Sequence, residues 1–533
     1  MSNKIKKANT PSTVSEWLIV TPAMEFVLAA TMIAMCAAVS FYAKDGYHQI
    51  GNAKFEAYRL VMSIGFSLFL LLGICYIINM IWQKKPWLLS VTDGFAFAYL
   101  LFSTIAVVSG GFYEDALWGS FGWNMGWMSQ LSFVLIYFAV SRFGRYYRVI
   151  LGAFCGSAFV VFVIGILHRL MIDPIGFYEG LEGYQMAQFL STMGQATWYA
   201  SFLVVALPVG VAVFLFAEKK LWRILSGIYM AAGFASLVTQ NSDSAYFAFA
   251  GFMLVYFLLC LDGRGTINRF AEVCTFFFAA GKVMGFLMQM RPNPDLEYDF
   301  ITKFMLEGRS TWVLLGLCIV WDIFLYVRRN RSYSAVRMTL VKRMAVFLAA
   351  AGVLVMAGLI VLQTKGVIPG RLGEILGAVS YFNWNDAWGN GRGRIWSFAV
   401  KVFAGESLIH KLFGVGPDCF GSYTMAAHGE EVNLLWGDKM LTNAHNEWMT
   451  ALVNTGILGA ASYIGIFVTA IRRFLKAWRQ EYLLAGAAAS VVSYMAYNFF
   501  CYQQVCCTPF VFMLLGAGEY LLRKKQEQGE GRS

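Results

Sequence analysis

The side chains best suited to chemistry lie in one polar stretch of an otherwise apolar chain, from about Gly389 to Gly459. Arg392 and Arg394 are two residues apart and directly precede an apolar pattern. A guanidinium group is always charged and binds phosphate through two parallel hydrogen bonds, so this pair suits a pyrophosphate group. The same pair could instead anchor a helix to lipid head groups, and the spacing alone leaves both interpretations open.

A histidine follows the arginines in the same stretch. His445 is followed by Asn446 and Glu447 and then by a long apolar run. Histidine is the side chain best able to take up a proton near neutral pH. We therefore predict that His445 is a general base, with Asn446 and Glu447 as substrate-binding neighbours. The alternative is a polar residue whose hydrogen bonds the loop itself satisfies.

Two other histidines, His410 and His428, are weaker candidates in the same stretch. The three histidines are too far apart in sequence for any standard zinc site. We therefore predict no metal.

Ionisable residues inside apolar segments are costly to bury and often functional. Lys282, in the run FFFAAGKVMGFLMQM, is the most notable, and it lies about two turns from the predicted outer end of its segment. We expect its ammonium group near a head-group phosphate, with extension along the helix to the interface as the alternative. Arg169 ends another apolar segment on the same side.

The composition indicates what must position these residues. The chain has 533 residues, of which 58% are hydrophobic and only 14% are charged. A soluble domain carries about 25% charged residues, so we predict an all-α polytopic membrane protein. The net charge of +11 does not indicate nucleic-acid binding, because most Lys and Arg residues lie in short loops between apolar segments. A basic chain at a lipid surface instead suits anionic head groups or a phosphorylated lipid.

About 14 segments, or 12 to 14 if the shorter ones are discounted, are apolar enough to span a membrane. They are 18–43, 60–82, 88–110, 127–141, 149–168, 190–217, 224–240, 245–261, 270–290, 311–327, 345–365, 444–471, 481–503 and 506–522.

Charge predicts the orientation of these segments. With the N-terminus inside, the inner segments hold 27 of the 42 Lys and Arg residues, and the short outer loops hold seven. This bias predicts cytoplasmic termini, at 1–17 and 523–533, in the cytoplasmic membrane. Helices 1 to 11 then occupy 18–365, a large extracytoplasmic loop occupies 366–443, and helices 12 to 14 occupy 444–522.

The large loop has predicted structure of its own. Apolar residues at helical spacing between Arg394 and Glu406 predict an amphipathic helix at the membrane interface. Gly414 to Pro417 predicts a tight turn, and residues 421–441 read as irregular. Thr442 or Asn443 is expected to cap a helix that begins at Ala444.

Four short motifs occur in a characteristic order in this region. They are Gly391-Arg392-x-x-x-Trp396, Leu412-Phe-Gly-Val-Gly-Pro417-x-x-Phe420, Ala444-His-Asn-Glu447 and Thr455-Gly-Ile-Leu-Gly459. Each motif alone is weak, but together they resemble the O-antigen ligase and Wzy-type polysaccharide polymerase family. The resembling region is 366–471, and its motifs cover about 70 residues.

The resemblance implies an integral-membrane glycosyltransferase fold and a metal-independent, inverting transfer of a glycan from undecaprenyl pyrophosphate. It implies no cofactor, membrane lipids as surroundings, and a flippase and a chain-length regulator as partners. By position, Arg392 would bind the pyrophosphate and His445 would lie at the acceptor. Many relatives carry an Arg in a hairpin that corresponds here to Ser242-Asp243-Ser244, so Lys282 or Arg169 would replace that phosphate contact.

Three functions remain open at this point. A polymerase of a cell-surface polysaccharide would pass the glycan to another lipid-linked repeat, whereas a ligase would pass it to a final acceptor. A lipid-linked oligosaccharide flippase is the alternative from another class. A flippase predicts charged residues in the middle of several segments, and the sequence shows mainly the isolated Lys282.

Overall fold

A computed structural model describes residues 13–82, 89–328, 335–437, 439 and 441–530. Parts of the predicted cytoplasmic segments, namely residues 1–12, 83–87, 329–334 and 531–533, lie outside the described residues. Residue 88, the first residue of the predicted span 88–110, also lies outside the described residues.

The described chain is almost entirely helical. Its first eleven α-helices are α1 (Thr13–Phe41), α2 (Ile50–Trp82), α3 (Val91–Gly110), α4 (Tyr113–Trp118), α5 (Trp127–Phe143), α6 (Tyr147–Arg169), α7 (Gly183–Gln188), α8 (Ala196–Phe216), α9 (Lys220–Thr239), α10 (Asp243–Cys260) and α11 (Arg264–Met290). The others are α12 (Phe300–Glu307), α13 (Ser310–Val327), α14 (Ala335–Thr364), α15 (Gly370–Gly377), α16 (Trp388–Gly405), α17 (Leu408–Phe413), α18 (Phe420–Trp436), α19 (Glu447–Ala477), α20 (Leu483–Tyr497) and α21 (Thr508–Glu530). Two 3₁₀ turns (Gly144–Tyr146 and Ser380–Phe382) and one antiparallel pair of strands, β1 (Phe189–Leu190) and β2 (Gly194–Gln195), complete the elements.

The polytopic all-α prediction is confirmed. Within the described ranges, eleven stretches are long and apolar enough to cross a membrane, and one of them, Trp127–Arg169, consists of α5 and α6 joined by a 3₁₀ turn. Helix α20 is apolar but shorter. Each of the fourteen predicted segments overlaps one helix of the structure.

The bundle is centred on α8, whose side chains are nearly all buried. It contacts α9, α10 and α20, while α19 contacts α3 and α20, and α21 contacts α5. Helix α3 shows how local sequence defines an element. The Ser90 side chain caps its N-terminus in a capping box with Asp93, and Gly111 ends it with a φ of 80°.

The two ends of α3 face different environments. At its start, the fully buried Asp93 binds Arg142 of α5 at 3.2 Å and Arg523 of α21 at 2.6 Å. At its end, the Ser109 hydroxyl donates to the carbonyl oxygen of Gly414, beside α17. The ion pairs and the large loop therefore lie at opposite ends of this helix.

The large loop has a small hydrophobic core of its own. Phe398 and Val402 of α16 and Phe420 and Val432 of α18 are buried together with Val453 of α19. The helix predicted between Arg394 and Glu406 is confirmed as the regular part of α16, which ends at Gly405, and its place at the membrane interface stays a prediction. The prediction of an irregular segment at 421–441 is wrong over residues 421–436, which belong to α18. This helix buries Phe420 and Val432 in the small core, and the burial stabilises it.

Two predicted boundaries are also wrong. The helix predicted to begin at Ala444 begins at Glu447, because His445 has a φ of 47° and Asn446, not Thr442 or Asn443, caps it. The predicted segment 481–503 ends as a helix at Tyr497, and residues 498–507 form a loop before α21.

Candidate active site

Two glycine-containing motifs position the large loop by direct backbone contact. Helix α19 is interrupted at Gly456, which has a φ of 65°. The interruption frees the carbonyl oxygens of Val453 and Asn454, which accept hydrogen bonds from the amides of Val415 (3.2 Å) and Gly416 (2.9 Å). A Cβ atom at Gly456 would lie 2.4 Å from the backbone of Leu412, so only glycine allows this approach.

A left-handed turn precedes Arg392. Gly389, Asn390 and Gly391 all have positive φ, and the regular part of α16 follows them. This turn directs Arg392 to the loop 498–507. Its Nε donates to the carbonyl oxygen of Phe500 at 3.1 Å, and its Nη1 donates to that of Gly389 at 2.7 Å. Two carbonyl groups thus fix the guanidinium, and no carboxylate within the described residues forms an ion pair with it.

Trp396 lies one turn after Arg392 and, like Arg392, contacts Phe500. Its ring stacks on that of Phe500 at a centroid distance of 6.0 Å and meets that of Phe499 at 5.5 Å. The spacing Arg-x-x-x-Trp therefore places a guanidinium on the carbonyl of Phe500 and an indole on its ring.

His445 lies beside the same loop. Its ring meets that of Tyr502 edge to face at 5.2 Å, and its backbone amide donates to Asn443 Oδ1 at 2.9 Å. Burial and, secondly, the charge of Arg392 lower the pKa of His445 to about 4. The imidazole is therefore neutral at physiological pH. Neither ring nitrogen has a hydrogen-bond partner within the described part of the chain, so both are open to a substrate.

Asn446 and Glu447 have structural partners. Asn446 Oδ1 accepts the amides of Trp448 (3.0 Å) and Met449 (3.1 Å) as the N-cap of α19. Glu447 is buried, and its Oε2 accepts the amide of Gln503 at 2.8 Å. Arg392, His445 and Glu447 therefore all contact the loop 498–507.

A cavity of about 40 Å³ lies behind this loop. Asp418 and Glu447 both line it, together with Asn454, Gln503, Trp123 and Tyr502. Asp418 Oδ2 accepts the amides of Ser120 at 2.8 Å and Met125 at 3.0 Å. Even with these bonds, burial raises the pKa of Asp418 to about 7. The site thus has a cationic part at Arg392 and an acidic part at the cavity.

A second pair of acids lies near Arg392. Tyr381 donates to Asp243 Oδ2 at 2.6 Å, and Asp243 Oδ1 accepts the amide of Ile301 at 3.1 Å. Burial, and then the nearby Asp243, raise the pKa of Asp299 to about 6, whereas Arg392 acts in the opposite direction. Arg392 is thus close enough to influence Asp299 as well as His445.

The structure places the other three predicted phosphate ligands in contacts of their own. Arg394 forms an ion pair with Asp386 at 3.1 Å. Lys282 donates to the carbonyl oxygen of Gly308 at 2.8 Å. The buried Arg169 donates to the carbonyl oxygens of Thr239, Ala187 and Gln240. None of them shares a hydrogen bond with Arg392 or His445, and their substrate roles stay predictions.

The sequence did carry a signal for the residues that were missed. Asp418 directly follows the Gly-Val-Gly-Pro motif, and Asn498, Gln503 and Gln504 interrupt an apolar run. Amides inside an apolar segment indicate a polar site or a broken helix. No group of three or more His, Cys, Asp or Glu side chains among the described residues is arranged to hold a metal ion.

The comparisons with known proteins bear on this region. Residues 299–464 match the family model Wzy_C, described as O-antigen ligase. The predicted resemblance is thus confirmed over a stretch that includes Asp299, Arg392 and His445, and this part of the chain is similar to membrane enzymes of the O-antigen ligase and polymerase type. No curated protein matches the chain.

Proposed function

We propose that this protein is a membrane glycosyltransferase that moves a glycan from undecaprenyl pyrophosphate to a sugar hydroxyl at the outer face of the cytoplasmic membrane. In this proposal it polymerises a cell-surface polysaccharide. The observation that carries the proposal is the fixed guanidinium of Arg392 beside a neutral His445 with both ring nitrogens open. The match of residues 299–464 to the O-antigen ligase model supports the class of reaction.

Arg392 would bind the pyrophosphate of the donor. The carbonyl oxygens of Phe500 and Gly389 hold its Nε and Nη1, so the group is oriented before substrate arrives. Negative charge on the pyrophosphate grows as its bond to the anomeric carbon breaks. A preorganised cation at that position stabilises the transition state by about 3 kcal/mol.

His445 would take the proton of the acceptor hydroxyl. The acceptor oxygen attacks the anomeric carbon from the side opposite the pyrophosphate, which inverts the configuration. A placed base contributes about 10²–10⁴-fold to such a step. Because pyrophosphate is already a good leaving group, the proposed reaction requires no metal ion. Arg394 and Lys282 are proposed to act outside this step, as cations near the polyprenyl phosphates. The donors of the buried Arg169 are bound to three backbone carbonyl groups, and the substrate role predicted for it stays a prediction.

The acceptor distinguishes the two close alternatives. A polymerase uses a second lipid-linked repeat, and a ligase uses a terminal acceptor. We retain the ligase as the second candidate because the matching family model carries that description. A flippase gives the fixed Arg392 and the open His445 no role in bond making, so it is disfavoured.

The test is a reconstituted assay. Purified protein in lipid vesicles receives an undecaprenyl-pyrophosphate-linked oligosaccharide with and without EDTA, and the products are separated on a gel. A ladder of longer lipid-linked glycans in both samples supports a polymerase that needs no metal. Product only after addition of a terminal acceptor supports a ligase. Movement of unchanged substrate across the vesicle membrane would contradict the proposal in favour of a flippase.

A further inference from the structure

Two carboxyl groups and no basic side chain line the cavity beside the loop 498–507. Of its lining residues, all of which belong to the described part of the chain, only Asp418 and Glu447 carry a carboxylate, and none is Lys, Arg or His. Two carboxylates facing one small cavity repel each other unless a proton or a cation is present. The cavity of about 40 Å³ is large enough for at least one water molecule.

Besides the two carboxyl groups, a side-chain oxygen in the cavity lining lacks a hydrogen-bond donor among the described residues. Asn454 lines the cavity and is 7% exposed, and its Oδ1 is buried without a hydrogen-bond partner among the described residues. A buried acceptor without a donor is costly. A protonated carboxyl group, or a water oriented by one, supplies the donor that two ionised carboxylates cannot.

The surroundings of the pair also disfavour two negative charges. Backbone amides bind one oxygen of each carboxyl group, from Ser120 and Met125 for Asp418 and from Gln503 for Glu447. These bonds favour the ionised form, so it is burial and the like charge of the neighbour that oppose two ionised groups. Acids, phenols and thiols interact electrostatically with the pair, while the charge of Arg392 acts on Cys501 and Tyr502 beside it. The acids, phenols and thiols are Asp115 and Cys419 near Asp418, and Tyr99, Tyr463, Tyr494 and Cys501 near Glu447.

His445 interacts both with Arg392 and with residues that line the cavity. Arg392 acts on the imidazole, and the rings of His445 and Tyr502 are in contact, while Tyr502 lines the cavity. Asn443 is a second link between His445 and the cavity. Its Oδ1 accepts a hydrogen bond from the backbone amide of His445, and its side chain lines the cavity. An imidazolium next to Arg392 is unfavourable, so a proton on His445 must move on quickly.

We propose that Asp418 and Glu447 share a proton across the cavity and receive the proton that His445 removes from the acceptor hydroxyl. This inference rests on the proposed function for the source of the proton. The acceptor O–H bond breaks, and its oxygen bonds to the anomeric carbon. The bond from that carbon to the pyrophosphate breaks, and its electron pair leaves with the pyrophosphate. The proton passes from the imidazolium to the carboxyl pair through cavity water and later returns to solvent. Asp418 and Glu447 act through His445 and do not touch the reacting atoms.

Infrared spectroscopy of the full chain in lipid nanodiscs tests the shared proton without any substrate. At pH 7 we expect the carbonyl band of a protonated carboxylic acid, reduced in both Asp418→Asn and Glu447→Gln. The side chain of each variant still has a carbonyl oxygen that can accept the hydrogen bonds of the backbone amides, so both variants retain those contacts. Glu406 contributes a similar band, since burial raises its pKa to about 8, and the spectrum of Glu406→Gln identifies that contribution. Glu431→Gln is the matched control, because Glu431 is an ion-paired surface residue.

The results separate this inference from the proposed function. A band that both cavity variants reduce supports the shared proton even if no glycan transfer is found, in which case the proposed function alone fails. Spectra of both cavity variants identical to the wild type overturn the inference even if the protein transfers glycans.

In an active preparation, we also expect the acid limb of the pH–rate profile to move to lower pH in Asp418→Asn. The reason is that the cavity of this variant holds one carboxylate fewer, so one negative charge fewer retains a proton there. An unshifted limb contradicts the relay.

Discussion

The guanidinium of Arg392 makes the sharpest quantitative prediction. Two of its nitrogens are held by the carbonyl oxygens of Phe500 and Gly389, which leaves Nη2 to approach a phosphate. In Arg392→Ala the cation and its orientation are both lost. Loss of one preorganised charged donor costs about 3–4 kcal/mol, so we expect transfer to fall by about 10²–10³-fold.

The lysine variant separates charge from geometry. One ammonium group on a flexible stem cannot replace the planar fork while it also binds a phosphate. We expect the transfer rate of Arg392→Lys to be about tenfold to a hundredfold below that of the wild type, and so between the wild type and the alanine variant. The measurement is the initial rate of product formation per molecule of folded protein in vesicles, with variants compared at equal amounts by size-exclusion chromatography.

Lys401→Ala is the matched control for Arg392. Lys401 lies on the same helix, is exposed, and forms an ion pair with Glu431. It should transfer at the wild-type rate, because surface ion pairs contribute little. A second readout is the pKa of His445, which should rise in Arg392→Ala because a nearby cation is removed. A wild-type rate in Arg392→Ala, at normal protein level, would refute the assignment of Arg392.

The remaining predictions concern the framework of the site. Gly456→Ala should lower the thermal midpoint and the rate together, by about 2 kcal/mol or more in stability, because its φ of 65° and the 2.4 Å approach to Leu412 exclude a Cβ atom; Gly358→Ala, which meets no neighbour, is the control, and equal midpoints would contradict this view. Burial raises the pKa of Glu406 from 4.5 to about 8, so its contribution to stability is present below pH 4.5 and is lost as the pH rises to about 8. Glu406→Gln should therefore be more stable than the wild type at pH 8, by about 4 kcal/mol, and similar to it at pH 4.5. A thermal melt at both pH values checks this, and an equal difference at the two would count against it. Arg169→Met should reduce the yield of folded protein, because three backbone carbonyl groups lose their donor at about 1–3 kcal/mol each; normal yield with no transfer would instead favour a substrate role for Arg169.

The sequence predicts the bundle well because long apolar runs have few alternatives in a membrane. Each predicted segment overlaps a helix, and the helix from Arg394 to Glu406 follows from its apolar spacing. The ends of elements were harder. Residues 499–502 are apolar enough to continue a helix, yet they belong to the loop 498–507, whose groups contact Arg392, His445 and Glu447.

The candidate site was predictable only where its residues share one stretch of sequence. Arg392 and His445 stand in the large loop, and their types already indicate phosphate binding and proton transfer. Asp418, Trp123 and Gln503 meet at the cavity from three distant parts of the chain. Asp243, at the start of α10, and Asp299, just before α12, likewise meet near Arg392 from separate parts of the chain. Such meetings depend on tertiary contacts, and no local pattern encodes them.

The central claim is that His445 takes a proton during glycan transfer, and one measurement tests it most directly. Purified wild type, His445→Gln and His410→Gln are reconstituted in vesicles with undecaprenyl-pyrophosphate-linked oligosaccharide, and the rate of glycan transfer is measured across pH. His410 lies in the same loop, on α17, and its Nε2 contacts the carbonyl oxygen of Ser109. We predict that His445→Gln loses at least about 10²-fold in rate while His410→Gln keeps the wild-type rate. A His445→Gln protein that is folded and transfers glycan at the wild-type rate would contradict the claim.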